Sequence, residues 1–337
     1  MTMPPHVAAL LALTGQRLPI VQAPIESAAT PELVTAVCRA GGLGGLALTW
    51  DSPDEAAAKV TALRHALPGA AFFANFVLHF PCEGLEAALD ADVPMVTFSF
   101  GIDAARIARA HRADAKVGVQ VGSVEGARLA IAAGADVLIA QGVEAGGHVQ
   151  STTPLATLLP QVVAVAGDRP VVAAGGIASA AAILRVIADG AAGTMLGTRF
   201  LATREAAAHS DHKAALVAAK AEDTAFTNCF DIDWPHAMHR VLRNSTFTAW
   251  EAAGSPQPPH RPGEGDVVFR QNGADHLRYC DMPPGPDAIG DPLGACLYAG
   301  TGVGDIDSVE AAGDLVVRFG AEVLAGFSSA QHERVTA

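Results

Sequence analysis

One octapeptide concentrates the chemistry open to this chain: Gln141-Gly-Val-Glu-Ala-Gly-Gly-His148. It directly follows Asp136-Val-Leu-Ile-Ala140, an apolar run with the composition of a buried strand. Imidazole titrates near neutrality, so His148 can take a proton from a weakly acidic carbon or stabilise an anion. Gly146 and Gly147 leave the ring without steric cover. A lone loop histidine is more often a surface or hydrogen-bonded residue, but the glycines and the strand-end position favour a functional use here. Glu144 reads as a hydrogen-bonding group within the loop rather than a catalyst.

Two further strand ends carry glycine, Gly175-Gly176-Ile177 and Gly197-Thr198-Arg199. Glycine lets the backbone approach a phosphate and leaves N–H groups free to point at it. The alternative is that each glycine only makes a tight turn. Their occurrence at consecutive strand ends favours phosphate. Asn75 and Gln120 put amides at strand ends where buried strands prefer apolar residues. An uncharged donor and acceptor suits the edge of a flat heteroaromatic ring; the competing reading is that each caps a loop. His209/His212 and His236/His239 have i,i+3 spacing. Zinc wants three or four ligands, and neither pair has an obvious third, so we expect no metal and read these as solvated or packing histidines. The absence of a G-x-S-x-G elbow removes support for a serine hydrolase.

These residues need a scaffold that brings strand ends together. Eight apolar runs alternate with alanine-rich amphipathic segments: Pro19–Ala23, Leu43–Leu48, Ala71–Asn75, Pro94–Phe98, Lys116–Val121, Val137–Ala140, Pro170–Ala174 and Gly193–Gly197. Thr30-Pro31, Ser123 and Ser179 supply helix N-caps, and Gly134 and Gly190 supply helix stops. Consecutive βα units predict an α/β fold, a (β/α)8 TIM barrel with function at the C-terminal strand ends. A doubly wound open sheet would carry G-x-G-x-x-G after its first strand; here that turn is Ala23-Pro24-Ile25-Glu26-Ser27. After Thr203 the repeat lapses. Residues 205–253 read as helices with polar interruptions, and 254–305 are rich in Pro and Gly. We expect residues 1–204 and 306–337 to form the barrel, and 205–305 to be an inserted, mainly helical and loop-rich segment covering its mouth. Asp307 to Ser328 should supply the last barrel helix.

The chain has 337 residues, 50% hydrophobic and 17% charged, enough for one large α/β domain with an insertion. The net charge of −13 argues against nucleic acid, whose binding rests on Lys and Arg neutralising phosphates. No apolar run is long enough to span a membrane. The N-terminus lacks the basic start of a signal peptide, so Val7–Leu13 is expected to be a short helix and the protein cytoplasmic. The five scattered cysteines contain no C-x-x-C pair and fit reduced thiols. Barrels often pair, so a homodimer is possible.

Taken with Gln22-Ala-Pro24, Asn75, Ala174-Gly-Gly-Ile177, Met195-Leu-Gly-Thr-Arg-Phe200 and Tyr298-Ala-Gly-Thr-Gly-Val-Gly304, the octapeptide resembles the nitronate monooxygenase (2-nitropropane dioxygenase-like) family of FMN-dependent barrels. The resemblance implies FMN with its phosphate at Gly176, Gly197 and Thr198, and Gly175 among the residues that bind the cofactor. It implies ring contacts from Ala23, Pro24, Ile25, Asn75 and Gln120, the loop backbone of Ala145, Gly146 and Gly147 alongside, and His148 over the reactive face. It implies oxidation of an alkyl nitronate, or of a nitroalkane, by O2 to a carbonyl compound and nitrite. Ile25 stands where the family often has Met, and Gln120 where several members have a basic residue; the latter bears on flavin redox tuning. The alternative on the same fold is an NAD(P)H-dependent reductase of enoyl-thioester or quinone type.

Overall fold

A computed structural model describes residues 3–336. All eight apolar runs become parallel strands: β1 Ile20–Gln22, β2 Gly45–Ala47, β3 Phe73–Val77, β4 Met95–Ser99, β5 Lys116–Val121, β6 Val137–Gln141, β7 Val171–Ala174 and β8 Gly193–Leu196. Strands β2 to β8 pair in sequence order, and β1 pairs with β8 in the register Val21↔Met195. The remaining seam is closed by a parallel bridge between Val21 and Leu43, just ahead of β2, with Gln22 donating to the Leu43 carbonyl. The sheet is thus a barrel.

Alternation along the strands divides the core. Val21, Phe73, Met95, Val137, Ile139, Val172 and Met195 fill the barrel interior. Outward-facing residues such as Val96, Val119, Leu138 and Ala173 meet the helices. The helices start where the sequence places caps. Thr30 accepts from Leu33 N–H at 3.0 Å and Ser123 from Gly126 N–H at 3.0 Å. The final helix, Ala312–Thr336, packs against Pro31–Ala40 and Ala180–Ala188. It is anchored by Arg199, 2% exposed, which donates to the Ser308 carbonyl and pairs with Glu310 at 2.8 Å.

Residues 205–305 carry helices Ser210–Ala218 and Ser245–Ala252, but also two small antiparallel sheets. Over 205–253 the expectation of helices with polar interruptions needs correcting. Thr224–Thr227 and His239–Leu242 are strands paired to each other, and the second also pairs with Gly147–His148. Four residues are too few for periodicity to declare a strand, and the pairing partner lies some ninety residues away in sequence. The other sheet joins Val267–Gln271 with Ala274–Leu277 and Ile289–Gly290.

Candidate functional site

A cavity of about 480 Å³ opens at the C-terminal ends of the barrel strands. That is within the usual range for small-molecule sites, about 300–1,000 Å³. Every residue expected from sequence to bind the cofactor or act on the substrate lines it: Ala23, Pro24 and Ile25 after β1, Asn75, Gln120, Ala145, Gly146, Gly147, His148, Gly175, Gly176, Gly197 and Thr198. Segments of 205–305 contribute as well, through Asp233, Trp234 and Asp281 to Pro284.

Several hydrogen bonds hold the His148 loop. Gln141, at the end of β6, donates to the His148 carbonyl and accepts from Gln150 N–H at 2.9 Å. Glu144 accepts from Leu155 N–H, a structural use. Arg240 reaches across from the added sheet to the Val143 carbonyl at 2.9 Å. The ring of His148 then sits among aromatics, 4.5 Å from Trp234 and 5.6 Å from Tyr298 between centroids. Its Nε2 is buried and makes no hydrogen bond; the Asp281 carboxylate oxygen is 3.7 Å away. Burial, reinforced by His239, pushes the imidazole down to about 3. His148 is therefore neutral at physiological pH, the form a proton acceptor requires.

The glycines divide by what surrounds them. A Cβ on Gly146 would strike the backbone of Gly300, so that glycine is required by chain-on-chain packing. Gly176 has φ +68°, a left-handed conformation that disfavours side chains. Gly197 is different. Its φ is −101°, and a Cβ there would meet only Ala23 and Ile25 at 3.6 Å, an ordinary contact. Its glycine is required by neither backbone strain nor crowding from the protein. A ligand seated against it would supply the missing reason. Asn75 donates to Thr97 and Gln120 to Gln150, at 3.0 and 2.7 Å, so both amides are oriented from behind. A flat, phosphate-bearing cofactor fits this donor set.

Other lining residues escaped the sequence reading. Glu26 and Phe100, with φ of +49° and +54°, hold strained conformations at the ends of β1 and β4, a pattern that concentrates at functional sites. Burial pushes the Glu26 carboxyl up to about 8, with Asp281 and Asp233 adding to the effect. Burial and then Asp233 raise Asp281 as well. His212, read from sequence as solvated or packing, is 1% exposed and lines the cavity. Its Nε2 donates to the Tyr298 carbonyl and its Nδ1 has no partner. Burial pushes it down to about 4. His239 packs beneath His148 and is 0% exposed. Among the described residues no group of three or more His, Cys, Asp or Glu side chains could hold a metal ion, and no helix is long and apolar enough to cross a membrane. The five cysteines are buried and unpaired.

A closed parallel barrel with glycine-bearing seventh and eighth strand ends and a neutral histidine after the sixth is the frame of a barrel enzyme that works at its C-terminal strand ends. The model for the nitronate monooxygenase family matches residues 64–321. The chain belongs to that family. A nitronate monooxygenase of Paraburkholderia phytofirmans is 31% identical over 303 residues, covering 75% of this chain and 81% of the relative. A hydroxy-methyl-oxo-octahydroindene-carboxyl-CoA dehydrogenase of Mycobacterium tuberculosis is 36% identical over 249 residues, covering 72% of this chain and 68% of that one. The structure of FabK from Thermotoga maritima superposes with a TM-score of 0.81 at 26% identity, covering 96% of this chain and 98% of that one.

Proposed function

We propose that this chain is a cytoplasmic, FMN-dependent enzyme that oxidises nitroalkanes or their nitronates with O2, giving a carbonyl compound and nitrite. The observation that carries the reading is His148. A neutral imidazole with a buried, unpartnered Nε2 stands on a cavity whose floor is built from glycine-bearing strand ends. Gly175, Gly176, Gly197 and Thr198 would hold the cofactor phosphate, Asn75 and Gln120 the ring edge, and Ala23 to Ile25 the ring face. Bound FMN supplies the electron acceptor for the substrate and the route by which electrons reach O2. His148 takes the α-proton from a neutral nitroalkane at Nε2. The C–H bond breaks, an N–H bond forms, and the electron pair stays on the nitronate. Residues 205–305, as one inserted cover over a barrel of 1–204 and 306–337, keep water from the site; Trp234 and Pro283 contribute to that wall.

The purified protein should be yellow and should release nitrite from nitroethane or ethylnitronate under air. Yellow protein that releases none from either would refute the activity. A second reading is reduction of an enoyl thioester or quinone by NAD(P)H through the same flavin; that a relative is named for a CoA thioester favours the thioester form of it. Rapid bleaching of the flavin by NADH, without nitrite from nitronates, would establish it.

A further inference from the structure

Three consecutive strand ends carry an aromatic side chain: Trp50 follows β2, Phe80 follows β3 and Phe100 follows β4. In this closed sheet β3 and β4 stand across from β7 and β8, so the rings lie on the far side of the mouth from the glycine-bearing ends. Trp234, from the segment 205–305, completes the arc. Its ring centroid is 4.7 Å from that of Phe100, 5.0 Å from Phe80 and 4.5 Å from His148. Phe80 in turn is 5.4 Å from Trp50. His148, Trp234, Phe80 and Trp50 thus form one unbroken row, and all four line the cavity. The row begins at the imidazole and runs outward: Trp234 is 9% exposed, Phe80 half-buried and Trp50 56% exposed.

Packing of the cover onto the barrel accounts for the inner rings. Trp234 is held by Phe80 and Phe100 and by His79, which stacks on it at 5.0 Å. The same packing does not account for Trp50, which leaves more than half of its surface in water. Phe100 reaches the arc from a left-handed backbone, with φ of +54°, a strain that clusters at ligand sites. The ring pairs meet tilted or edge-on, at 58°, 72° and 64°. That geometry sets the positive edge of one ring on the negative face of the next. A saturated guest in the row gains burial alone, whereas an aromatic guest gains the ring pairing as well.

We propose that this row seats the tail of the substrate, an aromatic ring joined by a chain of a few carbons to the reacting carbon, with that carbon at His148 and the ring against Phe80 and Trp50. The proposal rests on the reading of the cavity as the substrate site and names the class of substrate it takes, an arylalkyl nitro compound or nitronate in place of a short alkyl one.

The test is calorimetric titration of the FMN-loaded protein with 4-phenylbutan-1-ol, 4-cyclohexylbutan-1-ol and butan-1-ol, which share an unreactive head and differ in the tail. The phenyl ligand should bind at least about tenfold more tightly than butan-1-ol, from the ring area it buries. The cyclohexyl ligand is the more apolar, so the two ring ligands are compared as a ratio of affinities. Trp50→Leu keeps apolar bulk and removes the aromatic face; it should lower the phenyl-to-cyclohexyl ratio by about two- to tenfold, the usual worth of an aromatic pair beyond its area. Trp50→Phe should hold the ratio above the leucine value. Trp50 is mostly exposed, so both variants should fold. A phenyl ligand that binds no better than butan-1-ol overturns the proposal, as does a ratio that moves by less than about twofold in Trp50→Leu or is no higher in Trp50→Phe. None of these ligands carries a nitro group, so a protein that releases no nitrite would sink the proposed reaction and leave this order of binding untouched.

Discussion

Gly197→Ala separates a cofactor role from a structural one. The new methyl group would meet Ala23 and Ile25 at 3.6 Å, and φ of −101° is open to any residue. The flavin-free protein should therefore lose nothing; replacing glycine where the backbone permits alanine stabilises by about 0.4–1 kcal/mol. FMN must instead contend with a methyl group on a surface it approaches closely. Overpacking of that kind costs about 1–3 kcal/mol. At about 1.4 kcal/mol per tenfold, FMN should bind about five- to 140-fold more weakly. The assay is titration of flavin-free protein with FMN, read by quenching of flavin fluorescence, beside a denaturant midpoint for each protein. Gly176→Ala is the contrasting control. With φ +68° and Thr301 Oγ1 2.9 Å from the new Cβ, it should lower stability and affinity together. An unchanged FMN dissociation constant in a stable Gly197→Ala protein would show that this glycine serves only the turn and would remove the eighth strand end from the cofactor site.

His148→Ala should lower turnover of neutral nitroethane by about 10²- to 10⁴-fold, the usual worth of a positioned base, and impair preformed ethylnitronate far less; equal losses on both substrates would remove the base role. The Glu26 carboxyl binds its proton more tightly in the folded chain, so its contribution to stability is full below about pH 4.5 and is lost as pH rises through about 8. Glu26→Gln should therefore flatten the decline in denaturant midpoint between pH 6 and 8 in flavin-free protein, and a variant with the wild-type slope would refute this. His148, His212 and His239 have the opposite sign, with folded values near 3, 4 and 4 against 6.5. They should make stability fall as pH drops below about 6.5, and His212→Gln should weaken that acid limb. Glu310→Gln leaves the buried Arg199 guanidinium without its carboxylate and should cost about 3 kcal/mol or more in urea unfolding.

The barrel was legible because its signals are local and repeated. Each strand is a short, mainly apolar run, and Thr30, Ser123 and Ser179 all cap as their residue types imply. The His148 loop was legible for the same reason, since strand, glycines and histidine are contiguous. The carboxylates that line the cavity were not. Glu26 and Asp281 are joined only by tertiary folding, and Asp281 lies in a proline-rich stretch with no period to read. His239 and His212 looked polar in sequence, yet the added sheet and Tyr298 bury them. One missed element did carry a signal. Asn272-Gly273, both at positive φ, is the turn pair that favours a two-residue hairpin between Val267–Gln271 and Ala274–Leu277.

Because Gly147–His148 is itself an edge of the sheet formed by Thr224–Thr227 and His239–Leu242, the imidazole belongs mechanically to the excursion as much as to the barrel. Grafting residues 205–305 from a relative to change what enters the mouth would also swap the strand that braces His148. A chimaera that keeps His148 but loses its partners at 239 and 240 would inherit a new specificity together with a misaimed ring. Redesign of this enzyme therefore has to treat those two sheet positions as part of the acceptor scaffold.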